Sequence, residues 1–393
     1  MKFPIFVRKK RIKMNPPSQT IIIAPDSFKG CLSAAEAAAA IAEGIRRTCP
    51  ECAVIQIPVA DGGEGFTESL LAASGGKRVL CTVSDPLGRP VNAIYGILAD
   101  GTAVIETAAA SGLTLLSAGE RNPLMTSSFG TGELIRDAIG QGCRNVLLGL
   151  GGSATHDAGT GLLAALGFRF LDAGGCELEP RGENLGLIAA IDRSGAISGL
   201  DTVRFCAACD VQTVFCGPGG AAEVFAPQKG ADARAVRLLD EGTARLAEII
   251  RKETGTDLRT LPGSGAAGGI GGTLAALLGA RLESGIDLVL DAAGFDERLK
   301  DASLVITGEG RIDAQSAQGK AVSGILRRAQ RAGVPVIAIG GRVAPGAAAL
   351  PFSACYALAD KKISDQEAMQ PDWARKRITD LVGEILQSAV FTE

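Results

Sequence analysis

The chain has one histidine, few aromatic residues and no surplus of positive charge, and each shortage excludes a class of function. A metal site built from several histidines cannot form within one chain, and a Ser–His–Asp triad would have to use His156. That residue reads as part of a loop beside a ligand, without proton transfer. Aromatics make up 4% of the chain and the formal net charge is −3, so there is neither a stacking platform for bases nor a basic stripe for phosphates. No nucleic acid is expected as a partner, and a small molecule is. No apolar run reaches the roughly eighteen residues of a spanning helix, which leaves no membrane partner and a soluble, cytoplasmic chain as the expectation. The opening "MKFPIFVRKKRIK" puts its charges after its apolar run, the reverse of an export signal. Residues 1–19 are read as a disordered extension, with Met14 an alternative start. No G-x-x-x-x-G-K-[ST] segment occurs, which disfavours a P-loop kinase.

Cysteine is too sparse for a disulfide framework: ten in 393 residues, with Cys81, Cys143, Cys206 and Cys355 inside apolar segments where a thiol acts as a small hydrophobe. Two pairs have C-x-x-C spacing, Cys49 with Cys52 and Cys206 with Cys209. The second pair lies in the strand-like run "TVRFCAACDV", where the two thiols face opposite sides and cannot chelate one metal, so no structural zinc is expected.

What the chain has is alanine and glycine. An apolar fraction of 46% with 52 glycines describes an α/β enzyme, and 393 residues suit two domains. "TIIIAP" reads as a buried strand and "SAAEAAAAIAEGIRR" as a helix with Ser33 as N-cap and Glu36 completing a capping box. "AVIQIPVADGGEGFTESLLAASGG" repeats strand, loop, helix, and the segments from "ASLVITGEG" to "VPVIAIGG" supply two more strands around a helix. These portions, 20–80 and 285–393, read as one doubly wound Rossmann-like domain made from both chain ends. Residues 81–284 read as an inserted α+β domain, its "DPLG" and "ADG" turns marking antiparallel hairpins. A cleft between the two is the expected active site.

Parallel sheets bind ligands outside the carboxyl ends of their strands, and "IIIAPDSFKG" delivers Asp26, Ser27 and Lys29 there. Carboxylates gather at other strand ends: Asp61 with Glu64, Asp210, and Glu309 with Asp313. Such groups serve phosphoryl transfer by holding Mg²⁺ or accepting a proton, while lysines balance phosphate charge. Three glycine segments could cradle phosphate, "GLGGSATHDAGTG", "PGSGAAGGIGGTLAALLG" and "TGEGRIDAQSAQGK". The first also carries a competing pattern. Gly149, Gly151 and Ala154 fit the dinucleotide fingerprint G-x-G-x-x-A, with Asp172 where a ribose-binding acid would fall. A NAD-dependent hydroxy-acid dehydrogenase is therefore the alternative, although "THDAGTG" puts glycines where the first helical turn should form.

Taken in order, "APDSFKG", "PVADGGEG", "TSSFGTGELI", "GLGGSATHDAG", "ACDV", "FAPQKGA", "GAAGGIGG" and "VITGEGRIDAQSAQGK" resemble the motifs of the type I glycerate kinase family, from about Thr20 to the C-terminal helices. The resemblance implies two α/β domains with the site between them, ATP with Mg²⁺, D-glycerate as substrate and 2-phosphoglycerate as the usual product. A homodimer is left open. On this footing Lys29, Arg311 and Lys320 are assigned to anionic groups, Lys29 as a catalytic residue. Gly151, Gly152, Ser153, Gly268 and Gly269 are assigned to phosphate cradles, Asp26, Ser27 and Lys229 to the substrate, and Asp61, Glu64 and Asp313 to magnesium. Asp210, ending the strand "VRFCAACD", is the chosen general base, with Asp313 its competitor. Two departures stand out: the family usually has Asn in place of His156, and an Asn-Pro-Leu run soon after "ACDV", where this chain reads "QTVFCG".

Overall fold

In this computed structural model, residues 19–313, 316, 321–360 and 363–390 are described. The N-terminal extension up to residue 18 and Lys320 lie outside them. In chain order the strands are β1 (Thr20–Pro25), β2 (Ala53–Gln56), β3 (Gly76–Ser84), β4 (Pro90–Leu98), β5 (Ala103–Glu106), β6 (Asn145–Gly149), β7 (Arg169–Leu171), β8 (Ala190–Asp192), β9 (Arg204–Ala208), β10 (Arg281–Glu283), β11 (Ala302–Ile312), β12 (Val336–Val343) and β13 (Ala354–Ala357). They divide between two compact units, one holding the residues up to Asp61 and from Ile286 onward, the other Gly62–Gly285.

The first unit is a parallel sheet ordered β13-β12-β11-β1-β2. Both faces are covered, so β1 is apolar without alternation, and Ile21, Ile22 and Ile23 are all fully buried. Ile21 and Ile23 share a core with Ile41 of the helix Ala34–Thr48 and Ile378 of the helix Pro371–Val390. The helix Ala321–Arg331 lies against β1, β11 and β12. Ser33 caps the first helix as its spacing requires: its Oγ accepts from the Glu36 N–H at 3.2 Å, and Glu36 Oε2 accepts from the Ser33 N–H at 2.9 Å. Cys49 and Cys52, just beyond that helix, form a disulfide.

The order of this sheet has a functional consequence. From β1 the chain moves to β2 on one side, while β11, β12 and β13 run outward on the other. The direction of winding reverses between β1 and β11, and the crevice outside such a switch point is where open α/β sheets bind ligands.

The second unit holds a six-stranded sheet ordered β10-β9-β6-β5-β4-β3, parallel from β10 to β5 and antiparallel from β5 to β3. The two hairpins sit at the "DPLG" and "ADG" turns. The boundary differs from the expected residue 80. The helix Phe66–Ser74 follows a strand and a glycine loop, so it reads locally as a crossover of the first sheet, yet it packs on β4 and β5, and β3 pairs with β4. Residues 62–80 therefore belong to the second unit. Among the described residues no helix is long and apolar enough to cross a membrane, and no three His, Cys, Asp or Glu side chains are grouped to hold a metal.

Candidate active site

A cavity of about 360 Å³ lies in the first unit, lined by residues that follow or end β1, β2, β11, β12 and β13. One part of its lining is charged: Asp26, Lys29, Asp61, Glu309 and Arg311. The loop after β1 is held from both ends. The Asp26 N–H donates to Gly308 O at 2.8 Å, carrying the ladder one residue past Pro25. Phe28 and Leu32 then exchange backbone hydrogen bonds at 2.8 and 3.0 Å, closing a tight turn that leaves Lys29 exposed at its tip. Gly30 makes that turn with a φ of 74°, a conformation that disfavours side chains.

Asp26 is only 5% exposed, and its Oδ1 accepts from the Ser27 N–H at 2.6 Å. Burial first and the Asp61 charge second push the Asp26 carboxyl up to about 7, with Glu309 adding and the Ser27 N–H and Lys29 opposing. Ser27 is buried in the same wall, and its Oγ has no hydrogen-bond partner among the described residues.

Of the three carboxylates assigned to magnesium, only Asp61 lines this cavity. Asp313 belongs to its own loop: its N–H donates to Ser316 Oγ at 3.1 Å, and its Oδ2 lies 3.6 Å from Arg311 Nε. Glu64 is an exposed residue of the second unit. Sequence reasoning missed Arg342, Met369 and Trp373, which also line the cavity. For Arg342 the signal was present, since it stands two residues beyond the strand segment "VIAIG".

In the second unit the loop after β6 is a packed structure, and this corrects three readings. The first concerns the glycines. A side chain on Gly151 would meet Gly63 Cα at 2.5 Å, and the Gly151 N–H donates to Gly62 O at 3.0 Å, so this glycine lets two backbone segments touch. Gly268, with a φ of 67°, lies against Thr155 O, its own carbonyl accepts from the Ala158 N–H at 3.0 Å, and Gly269 is buried beside Ala158. The missing side chains that suggested phosphate cradles at 268 and 269 serve backbone packing instead, while Gly152 is exposed. The second concerns Lys229, expected at the substrate. It is 2% exposed and donates from Nζ to Thr155 O at 2.6 Å and Ser153 Oγ at 2.9 Å, so it pins the loop from beneath. Burial pulls its ammonium down to about 7, opposed by the charge of Asp157.

The third concerns His156, which is fully buried rather than a loop residue open to a ligand. Thr243 Oγ1 already donates to Leu239 O at 2.6 Å, so His156 Nε2 must be the donor to Thr243 across 3.3 Å, and the ring is the neutral Nε2–H tautomer. Burial, then the Lys229 charge, hold its pKa down at about 3. Because the unfolded imidazole takes a proton near 6.5 and the folded one does not, stability is lost as pH falls from about 6.5 towards about 3. His156→Asn is expected to make urea-unfolding stability shallower across that window by about 1 kcal/mol per pH unit. Identical slopes in parent and variant would exclude a buried neutral ring.

Asp210 follows β9, and its Oδ1 accepts from Ser284 Oγ at 2.8 Å and the Gly285 N–H at 3.2 Å.

The sequence and the fold both have counterparts. The glycerate kinase family model matches residues 21–389. The chain belongs to the glycerate kinase family. It is 48% identical over 324 residues to a glycerate kinase of Bacillus subtilis strain 168, covering 82% of this chain and 85% of that one. It is 47% identical over 322 residues to a glycerate 2-kinase of Escherichia coli K12, covering 82% and 84%. A crystal structure from Salmonella typhimurium LT2, described as a glycerate kinase 2, superposes with a TM-score of 0.82 at 40% identity, covering 95% and 98%. The protein is thus a phosphotransferase with an alcohol group as acceptor, as the ordered motifs implied. Membership in the glycerate kinase family displaces the dehydrogenase alternative, and the geometry shows why its fingerprint misleads. The strand after the glycine loop, β7, pairs antiparallel with β8 in a separate two-stranded sheet and is not the parallel neighbour of β6 that the fingerprint requires. Asp172 shapes a turn there, its Oδ1 accepting from the N–H groups of Gly174 and Cys176 at 2.8 and 2.9 Å.

Proposed function

We propose that the protein phosphorylates D-glycerate to 2-phosphoglycerate with ATP and Mg²⁺, in the cytoplasm, as a step of sugar-acid and glyoxylate catabolism. The observation that carries this reading is the cavity at the switch point of the parallel sheet, lined by Asp26, Asp61 and Glu309 together with Lys29 and Arg311. Phosphoryl transfer asks a protein mainly for positioning and for charge placed around the phosphates. Lys29 and Arg311 offset phosphate charge. Asp61 suits Mg²⁺, which is held by one or two carboxylates while phosphate oxygens and waters complete its shell.

As the acceptor oxygen bonds to the γ-phosphorus and the bond to the departing ADP breaks, the proton of that hydroxyl goes to a carboxylate. We assign this proton to Asp26 in preference to Asp210. Asp26 is buried in the cavity wall and fixed by the Ser27 N–H, and its raised affinity for a proton suits a general base.

The test is a coupled assay for ADP. Mg²⁺-dependent ADP formation is expected with D-glycerate. With L-lactate, which lacks the terminal hydroxyl, kcat/KM is expected to be lower by about 10²-fold or more, because the pocket's polar groups lose their partner. Phosphorus NMR of the product reads which hydroxyl was modified. Turnover of a nicotinamide cofactor with no ADP formed would overturn the reading.

A further inference from the structure

We propose that the apolar end of the first unit's cavity is the purine pocket of the phosphoryl donor, with Trp373 as its stacking face. This rests on the kinase reading above and adds the place of the nucleotide. The cavity's volume of about 360 Å³ falls in the usual range for small-molecule sites, roughly 300–1,000 Å³. A three-carbon acid needs far less. The lining is also mixed in character: besides the charged residues it includes Phe28, Leu358, Met369, Trp373 and Ala374. Glycerate carries an oxygen on every carbon and has no face to bury against such a wall. A purine has two, and base stacking on aromatic side chains is tolerant of sequence and strong.

The apolar wall is built to stay in place. Arg342 donates from Nη2 to Ile363 O at 2.6 Å and to Asp365 Oδ1 at 2.9 Å, and from Nη1 to Asp360 O. This guanidinium fixes the segment that leads into Ala368, Met369 and Trp373. Met369 is 44% exposed, an unusual place for a large apolar side chain, and its Cε lies over Gly30 in the same loop as Lys29. The wall that suits a base therefore adjoins the lysine that suits its phosphates. Ser27, 8% exposed, also lines the cavity, and its enclosed hydroxyl has no partner among the described residues, an unmet polar group beside this site.

Trp373 is the only tryptophan in the chain, so its fluorescence reports on this wall alone. Titration with ADP is expected to change the emission saturably, while D-glycerate and inorganic tripolyphosphate, which lack a purine, leave it unchanged. Trp373→Ala is expected to weaken ADP binding by roughly 5- to 150-fold in calorimetry, with KM for glycerate within about two-fold of the parent. Trp373→Phe, which keeps a ring, should recover most of the affinity and guards against a folding defect. Emission indifferent to ADP, or an unchanged ADP Kd in Trp373→Ala while turnover persists, would overturn the pocket and leave the kinase reading standing. An emission change with glycerate alone, joined to a raised glycerate KM in Trp373→Ala, would assign the wall to the acceptor instead. ADP binding sensed by Trp373 in a parent protein that never turns over glycerate would keep the pocket and overturn the reaction.

Discussion

Asp26→Asn is expected to lower kcat by about 10²–10⁴-fold, the usual contribution of general-base assistance, with KM for ATP little changed. The amide keeps the size of the carboxylate and can still accept from the Ser27 N–H, so the loop after β1 should hold its shape. What is lost is the proton acceptor. Asp210→Asn is the necessary companion, because sequence reasoning placed the base there. Asp210 is held at one oxygen by Ser284 and Gly285, which suits a residue joining the ends of β9 and β10. Its variant should keep kcat within about ten-fold of the parent. If Asp210→Asn shows the large loss while Asp26→Asn turns over within a few-fold of the parent, the roles are reversed.

Asp157→Ala is expected to destabilise the second unit by about 3–5 kcal/mol, the range for removing one partner from a buried charged network. The Asp157 carboxylate is fully buried and accepts from the Ser128 N–H at 2.7 Å, Ser128 Oγ at 2.8 Å, and the Gly159 and Gly161 N–H groups at 3.1 Å. It serves two helix starts at once, those of Phe129–Gly140 and Thr160–Ala165, whose first N–H groups have no partner within the helix. Alanine strands these donors and leaves Lys229 without the opposing charge that supports its ammonium. An apparent melting temperature lower by on the order of 10 °C is the corresponding reading. A variant that melts with the parent would show that the donors find other partners.

What the sequence made legible is mostly local. Ser33 and Glu36 are three residues apart and cap the helix they seemed to cap, and the "DPLG" and "ADG" turns close the hairpins they seemed to close. The strand-end position of Asp26, Ser27 and Lys29 followed from an apolar run stopped by proline, and all three line one cavity with Asp61 and Arg311. What failed required long-range information. The helix Phe66–Ser74 carries no sign of which sheet it will cover. Glycine signals close approach of backbone, but the approaching partner at Gly151 and Gly268 is the chain itself. Lys229 was assigned to the substrate on the motif "FAPQKGA", and only the fold shows Ser153 and Thr155 waiting for it. Met369 and Trp373 stand hundreds of residues from Asp26, and no spacing rule joins them.

The order of the first sheet also dictates when it can form. β1 sits between β2 and β11, so its apolar residues have one neighbour early in synthesis and wait for the other until Ala302–Ile312 has emerged. At ordinary translation rates that delay is on the order of tens of seconds. Throughout it, Ile21, Ile22 and Ile23 would present an unfinished edge on the nascent chain, the kind of surface that chaperones shield. The contiguous stretch Gly62–Gly285 is complete before then, so its sheet can close while the flanking one is still half made.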